Sequence, residues 1–270
     1  MTAHRRTYRE GYIPLENVGL HYLEWGDGGP HVLILHGATS MAVNHAWFIE
    51  ELFPNCHVWA PDHRGHGHSS RADSYDLGEF ADDTAQFIET LGIENPLVLG
   101  HSLGGAISMC LFGRGEIPIS KLLLKDIGPE IPHRDRPRAD DRPTTWDSYD
   151  AAFTHFEDLS QALGDPATFI ANNLRWTDNR ALAVRFDPAF FSVLRRDWDL
   201  WDGLARITAP TLIPHGEHSD VLSADVAARM VEGMPDARVV EFPNCEHILE
   251  WQQPERFVEV VREFVGDEFA

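Results

Sequence analysis

The chain predicts an α/β fold with a mostly parallel sheet, and three observations carry that expectation. Short apolar runs alternate with amphipathic helical segments. Several of these runs are apolar at successive positions. One of them, Leu97-Val98-Leu99, leads directly into Gly100-His101-Ser102-Leu103-Gly104 and a further helical stretch. Alternation of the two element types places helices on both faces of a sheet, and a strand covered on both faces needs apolar side chains pointing both ways.

In chain order, Tyr12–Leu15 and Leu20–Trp25 read as two strands of an N-terminal hairpin, followed by the turn Gly26-Asp27-Gly28-Gly29-Pro30. His31–Leu35 is a buried strand ending in His36-Gly37-Ala38-Thr39-Ser40, and a helix with Trp47, Phe48, Ile49, Leu52 and Phe53 on its apolar stripe comes next. The strand His57–Pro61 runs into Asp62-His63-Arg64-Gly65-His66-Gly67-His68-Ser69. Phe80–Leu91 is an amphipathic helix closed by Gly92. After the Leu97–Leu99 strand and its helix, Lys121–Asp126 reads as another buried strand. From about Glu130 to Arg206 there is no convincing strand; Asp, Arg, Pro and bulky aromatics dominate, as in a helical insertion, with Pro132–Pro143 as a loop or hinge. Strands resume at Pro210–His215 and Arg238–Phe242, a helix begins at Val226–Met230, and Pro254–Val265 closes the chain as an amphipathic helix.

Composition narrows the function. A chain of 270 residues with 43% hydrophobic residues can bury a full core, as one large domain or a domain with an insertion. The net charge of −21 disfavours nucleic acid and anionic membranes as partners. No apolar run reaches the roughly 18 residues of a spanning helix, and the basic start of Met1–Glu10 has no apolar stretch behind it, so a cytoplasmic location is expected. Cys56, Cys110 and Cys245 form no metal spacing and imply no disulfide framework. Lys121 and Lys125 are the only lysines.

Gly100–Gly104 matches G-x-S-x-G, in which a strand turns into a helix so tightly that the serine sits in strained backbone at a helix N-terminus. His63, His66 and His68 beside Asp62 suggest a metal cluster, but the same residues suit a glycine-shaped turn in which Asp62 and Arg64 form an ion pair or a loop brace, and metal binding is disfavoured. No nucleotide motif follows Gly65 or Gly67. Cys110 is expected in the core.

Four patterns in order, His36-Gly37 after a strand, Asp62-x-Arg64-Gly65-x-Gly67-x-Ser69, the Gly100–Gly104 elbow, and a late acid followed by a late histidine, resemble the α/β-hydrolase fold family over nearly the full length. The resemblance implies a mostly parallel eight-stranded sheet flanked by helices, with residues 1–129 and 207–270 as the core domain and 130–206 as an inserted helical cap. It implies Ser102 as nucleophile, His247 as general base and Asp220 as the acid that orients it, with the backbone N–H groups of Ala38 and Leu103 as oxyanion hole. Many relatives carry the acid three residues after the glycine of a Gly-x-x-Asp turn, where this chain has Ser219; Glu217 and Asp126 are the rival positions. His36, His101, Trp146, Phe153, Trp176 and Ile248 are candidate pocket residues. The expected activity is cofactor-free and metal-free hydrolysis of a partly hydrophobic carboxylic ester or lactone by a monomer or homodimer. C–C bond hydrolysis of ring-cleavage products and cofactor-free perhydrolase chemistry are the alternatives, and a non-catalytic ligand receptor is a rival of another class.

Overall fold

The computed structural model describes residues 8–130, 143–159, 165–194 and 196–269. Its frame is an eight-stranded sheet built from β1 (Arg9–Pro14), β2 (Gly19–Trp25), β3 (His31–Leu35), β4 (His57–Pro61), β5 (Leu97–His101), β6 (Lys121–Lys125), β10 (Thr211–Gly216) and β11 (Ala237–Phe242). The spatial order is β1-β2-β4-β3-β5-β6-β10-β11. β1 and β2 form an antiparallel hairpin, and β2 joins β4 antiparallel. From β4 onward every pairing is parallel.

The central strands confirm why continuous apolar runs were expected: every residue of β5 is buried. Helices cover both faces, because no bare face of such a strand can meet water without exposing apolar surface. On one side lie α1 (Ala46–Leu52) and α9 (Pro254–Val265), whose Phe48, Ile49, Leu52, Phe257 and Val261 pack with Val32, Ile34, Leu97 and Leu99. On the other lie α2 (Leu77–Leu91), α3 (Leu103–Phe112) and α8 (Ala224–Gly233), packed against Leu33, Leu35, Val98 and Leu124. α2 begins one turn earlier than the apolar periodicity indicated. Asp76 and Glu79 form a reciprocal capping box there, and Gly92 ends the helix at φ +62°.

Between β6 and β10 the chain leaves the sheet. It forms α4 (Tyr149–Glu157), α5 (Pro166–Asn173) and the short helices α6 (Phe191–Leu194) and α7 (Trp201–Leu204). It also holds a three-stranded antiparallel ribbon of β7 (Thr145–Trp146), β9 (Leu182–Val184) and β8 (Leu174–Trp176). That ribbon corrects the expectation of a strand-free insertion: strands of two or three residues are too short to show a period of two. Of the loop expected at Pro132–Pro143, all but Pro143 lies outside the described residues. Among the described residues no helix is long and apolar enough to cross a membrane.

Candidate active site

The tight turn after β5 places Ser102 at φ +51°, ψ −115°, backbone that a non-glycine residue adopts only when its surroundings impose it. The surroundings here are glycines in close approach. A Cβ on Gly100 would lie 2.7 Å from the Gly104 carbonyl oxygen and Gly105 Cα, and one on Gly104 would lie 2.1 Å from the Leu35 carbonyl oxygen. The Ser102 N–H donates to the Lys125 carbonyl at 3.1 Å, which ties the elbow to β6. Leu103 opens α3, so its N–H has no acceptor within the helix. The loop after β3 reaches the same place: a Cβ on Gly37 would stand 3.3 Å from Ser102 Cβ.

His247 follows β11, and its ring lies 4.9 Å, centroid to centroid, from that of His101, the residue before Ser102. Its Nδ1 bonds Asp126 Oδ2 at 2.6 Å. This corrects the expected acid. Asp220 is exposed, whereas Asp126 is completely buried at the end of β6 with φ +51°. The Asp126 carboxylate also accepts from the Gly216 N–H at 3.0 Å and from Ser219 Oγ at 2.5 Å. Ser219, standing where many relatives have the acid, therefore donates to a carboxylate supplied by the neighbouring strand. Three donors hold that carboxylate in one orientation.

The remaining histidines near the elbow are neutral braces. His36 is fully buried; its Nδ1 donates to the Gly37 carbonyl and its Nε2 accepts the His63 N–H at 2.9 Å. His63 Nε2 donates to the His36 carbonyl, and His66 Nδ1 to the Arg64 carbonyl. Burial holds the His36 ring well below its ordinary pKa and pushes His63 down to about 3 and His66 to about 4. Asp62 and Arg64 do brace this loop, but not as a pair. Asp62 accepts from the Ala42 and His68 N–H groups and bonds His21, while Arg64 makes a bidentate contact with Asp83 at 2.7 and 2.8 Å. Burial raises the Cys56 thiol to about 11, which leaves it unreactive at neutral pH, and Cys245 shifts the same way.

A cavity of about 70 Å³ opens beside the elbow, bordered by the Ala38–Ser40 loop, His45, His101, Ile248, Glu250 and Trp251, with Phe169 and Asn172 of α5 across it. Of the six candidate pocket residues, His101 and Ile248 line this cavity. The other four candidates are not in its lining. His36 lies beneath the loop, Trp146 and Phe153 belong to the insertion's own apolar cluster, and Trp176 is 59% exposed. Sequence reasoning missed His45, Glu250 and Trp251. The signal was faint: Glu250 and Trp251 lie within four residues of His247, and His45 precedes α1 by one residue.

Comparison with known proteins identifies the fold family. A family model described as alpha/beta hydrolase fold matches residues 30–254. The chain is 26% identical to the 3-hydroxybutyrate-oligomer hydrolase of Cupriavidus necator, over 96% of this chain and 98% of that protein. It is 27% identical to a 2-hydroxy-6-oxononadienedioate/2-hydroxy-6-oxononatrienedioate hydrolase of Pseudomonas putida, over 95% and 94% of the two chains. The crystal structure of E-2-(acetamidomethylene)succinate hydrolase superposes with a TM-score of 0.83 at 23% identity, covering 96% of this chain and 99% of that one. With the sheet order and the strained elbow, these matches settle the family: the chain belongs to the alpha/beta-hydrolase fold family and is a hydrolase.

Proposed function

We propose that the protein hydrolyses a short carboxylic ester or lactone through an acyl-enzyme on Ser102. The observation that carries this reading is the buried Asp126 carboxylate on His247 Nδ1 at 2.6 Å, on the side of the ring that leaves Nε2 for the nucleophile. In this mechanism His247 Nε2 takes the Ser102 hydroxyl proton as Oγ bonds to the ester carbon. The carbonyl electron pair moves onto oxygen, which the N–H groups of Ala38 and Leu103 receive. Collapse expels the alcohol, which takes the proton back from His247. Water, deprotonated by the same nitrogen, then frees the acid and restores Ser102. Asp126 holds the ring in the tautomer that presents a basic Nε2 and stabilises the imidazolium. Residues 130–206 act as the cap over the cavity, which Phe169 and Asn172 already border.

The test is Ser102→Ala with p-nitrophenyl esters. Activity should fall to background while the melting temperature stays within about 2 °C, since Ser102 is only partly buried. A fluorophosphonate should label the wild-type chain at Ser102 and leave the variant unlabelled; hydrolysis surviving in the variant would refute the mechanism. The similarity to the Pseudomonas putida hydrolase supports a second reading, C–C cleavage of a dienone, by the same residues. A dienone assayed beside the esters separates the two.

A further inference from the structure

The residues that line the cavity beside the elbow carry buried polar atoms with no hydrogen-bond partner among the described residues. Lys125 is fully buried and its Nζ bonds Glu250 Oε1. Glu250 is 2% exposed, and its second oxygen, Oε2, has no hydrogen-bond partner among the described residues. His45 is likewise 2% exposed with neither ring nitrogen bonded, and His101 Nε2 is also without a partner. All three side chains line the one cavity. The asparagines of the same wall are satisfied. Asn172 donates to Asn44 Oδ1 at 3.1 Å, and Asn44 donates to Ser40 Oγ at 3.0 Å and to Asn173 Oδ1 at 2.8 Å.

Leaving buried polar atoms unpaired is unfavourable, and a site that does so selects ligands able to complete the bonds. Glu250 Oε2 can only accept. Burial and the nearby Lys125 charge keep His45 neutral, so its ring offers one N–H donor and one acceptor. Lys125 already offsets the Glu250 charge, so the pair does not call for an ion. In so small a space, a hydroxyl meets the demand with one heavy atom, donating to Glu250 Oε2 and accepting from His45. The cavity adjoins Ala38 on the oxyanion side and is walled by Phe169 and Trp251. Such a place suits the acyl half of an ester, which must stay bound through both halves of the reaction while alcohol leaves and water enters.

We propose that the enzyme selects short acyl groups bearing a hydroxyl, which Glu250 and His45 hold in this cavity; the inference rests on the serine-hydrolase reading above. The probes are the p-nitrophenyl esters of 3-hydroxybutyrate and 3-methylbutyrate, which differ only by hydroxyl against methyl. Each rate is divided by the ester's own hydroxide-catalysed rate. The expected kcat/KM ratio favours the hydroxyacyl ester at least about tenfold. Replacing Glu250 alone would strand a buried lysine and endanger folding, so the variant is Lys125→Met with Glu250→Met, which swaps the pair for apolar groups of similar length. In that variant, folded by its melting curve, the ratio should drop to about one, and His45→Leu should lower it independently.

A wild-type ratio near or below one would mean that buried water alone completes these bonds, and would overturn the inference. So would a ratio that persists in the folded double variant. Fluorophosphonate labelling separates the two readings. If Ser102 labels yet the hydroxyacyl ester is not preferred, or neither ester turns over, this inference alone falls. If Ser102 does not label and neither ester turns over, both readings fall.

Discussion

At the scale of single residues, the decisive feature is which carboxylate meets His247. A carboxylate orients an imidazole only when it is itself held. Asp126 is held by the Gly216 N–H and the Ser219 hydroxyl, whereas Asp220, one residue beyond Ser219, projects into solvent. Replacing Asp126 by Asn would put an amide where three donors converge and would present His247 with the wrong partner. Asp126→Asn should lower kcat about 10³–10⁴-fold. Asp220→Asn should leave kcat unchanged. Steady-state kinetics of the two variants side by side decide the matter, and the reverse result would return the orienting role to Asp220.

At the scale of elements, the strand β5, the turn and the helix α3 form one unit whose geometry depends on missing side chains. Gly104 lets α3 lie against the Leu35 carbonyl at the end of β3, and no flexible side chain can yield there because the obstacle is backbone. Gly104→Ala should therefore destabilise the fold by at least about 2 kcal/mol, lowering the melting temperature by about 5 °C, and should misplace Ser102. Gly78, within α2, offers the contrast. A Cβ there meets nothing within 4 Å, so Gly78→Ala should be neutral or stabilising by up to about 1 kcal/mol. Thermal melts of both variants test the distinction, and equal effects would deny that close approach is the reason for glycine at 104.

At the scale of the whole molecule, the buried histidines make stability depend on pH. His36, His45, His63, His66 and His101 are all buried, and burial lowers the pKa of each. The unfolded chain, with histidines near 6.5, then binds more protons than the folded one, so stability is full above pH 6.5 and is lost as pH falls below it. His63 and His66, at about 3 and about 4, each forfeit on the order of 2–3 kcal/mol by pH 4.5. Together that is a large part of a typical domain's 5–15 kcal/mol. The melting temperature should fall steeply between pH 6.5 and 4.5 and stay nearly flat from 7 to 8. A flat profile through pH 5 would contradict the neutral, buried state of these rings.

The local patterns of the chain were enough to determine its class and to point to Ser102 and His247 as the proposed centre of its chemistry. Continuous apolar runs such as Leu97–Leu99, bounded by turn residues, read as strands buried on both sides, and the glycines around Ser102 point to a tight turn with close backbone approach. His247 could be placed because it follows the last strand. These are properties of a few adjacent residues, so they can be read in one dimension. The acid, the cavity and the ribbon of the insertion depended on which strands lie side by side. Asp126 and Ser219 are 93 positions apart, and they meet because β6 and β10 are neighbours in the sheet. Lys125 and Glu250, 125 positions apart, are likewise joined only by tertiary structure. Hydrogen bonds and ion pairs act over a few ångströms whatever the separation along the chain, so partnerships of this kind are decided by the folded sheet and by nothing the local sequence displays.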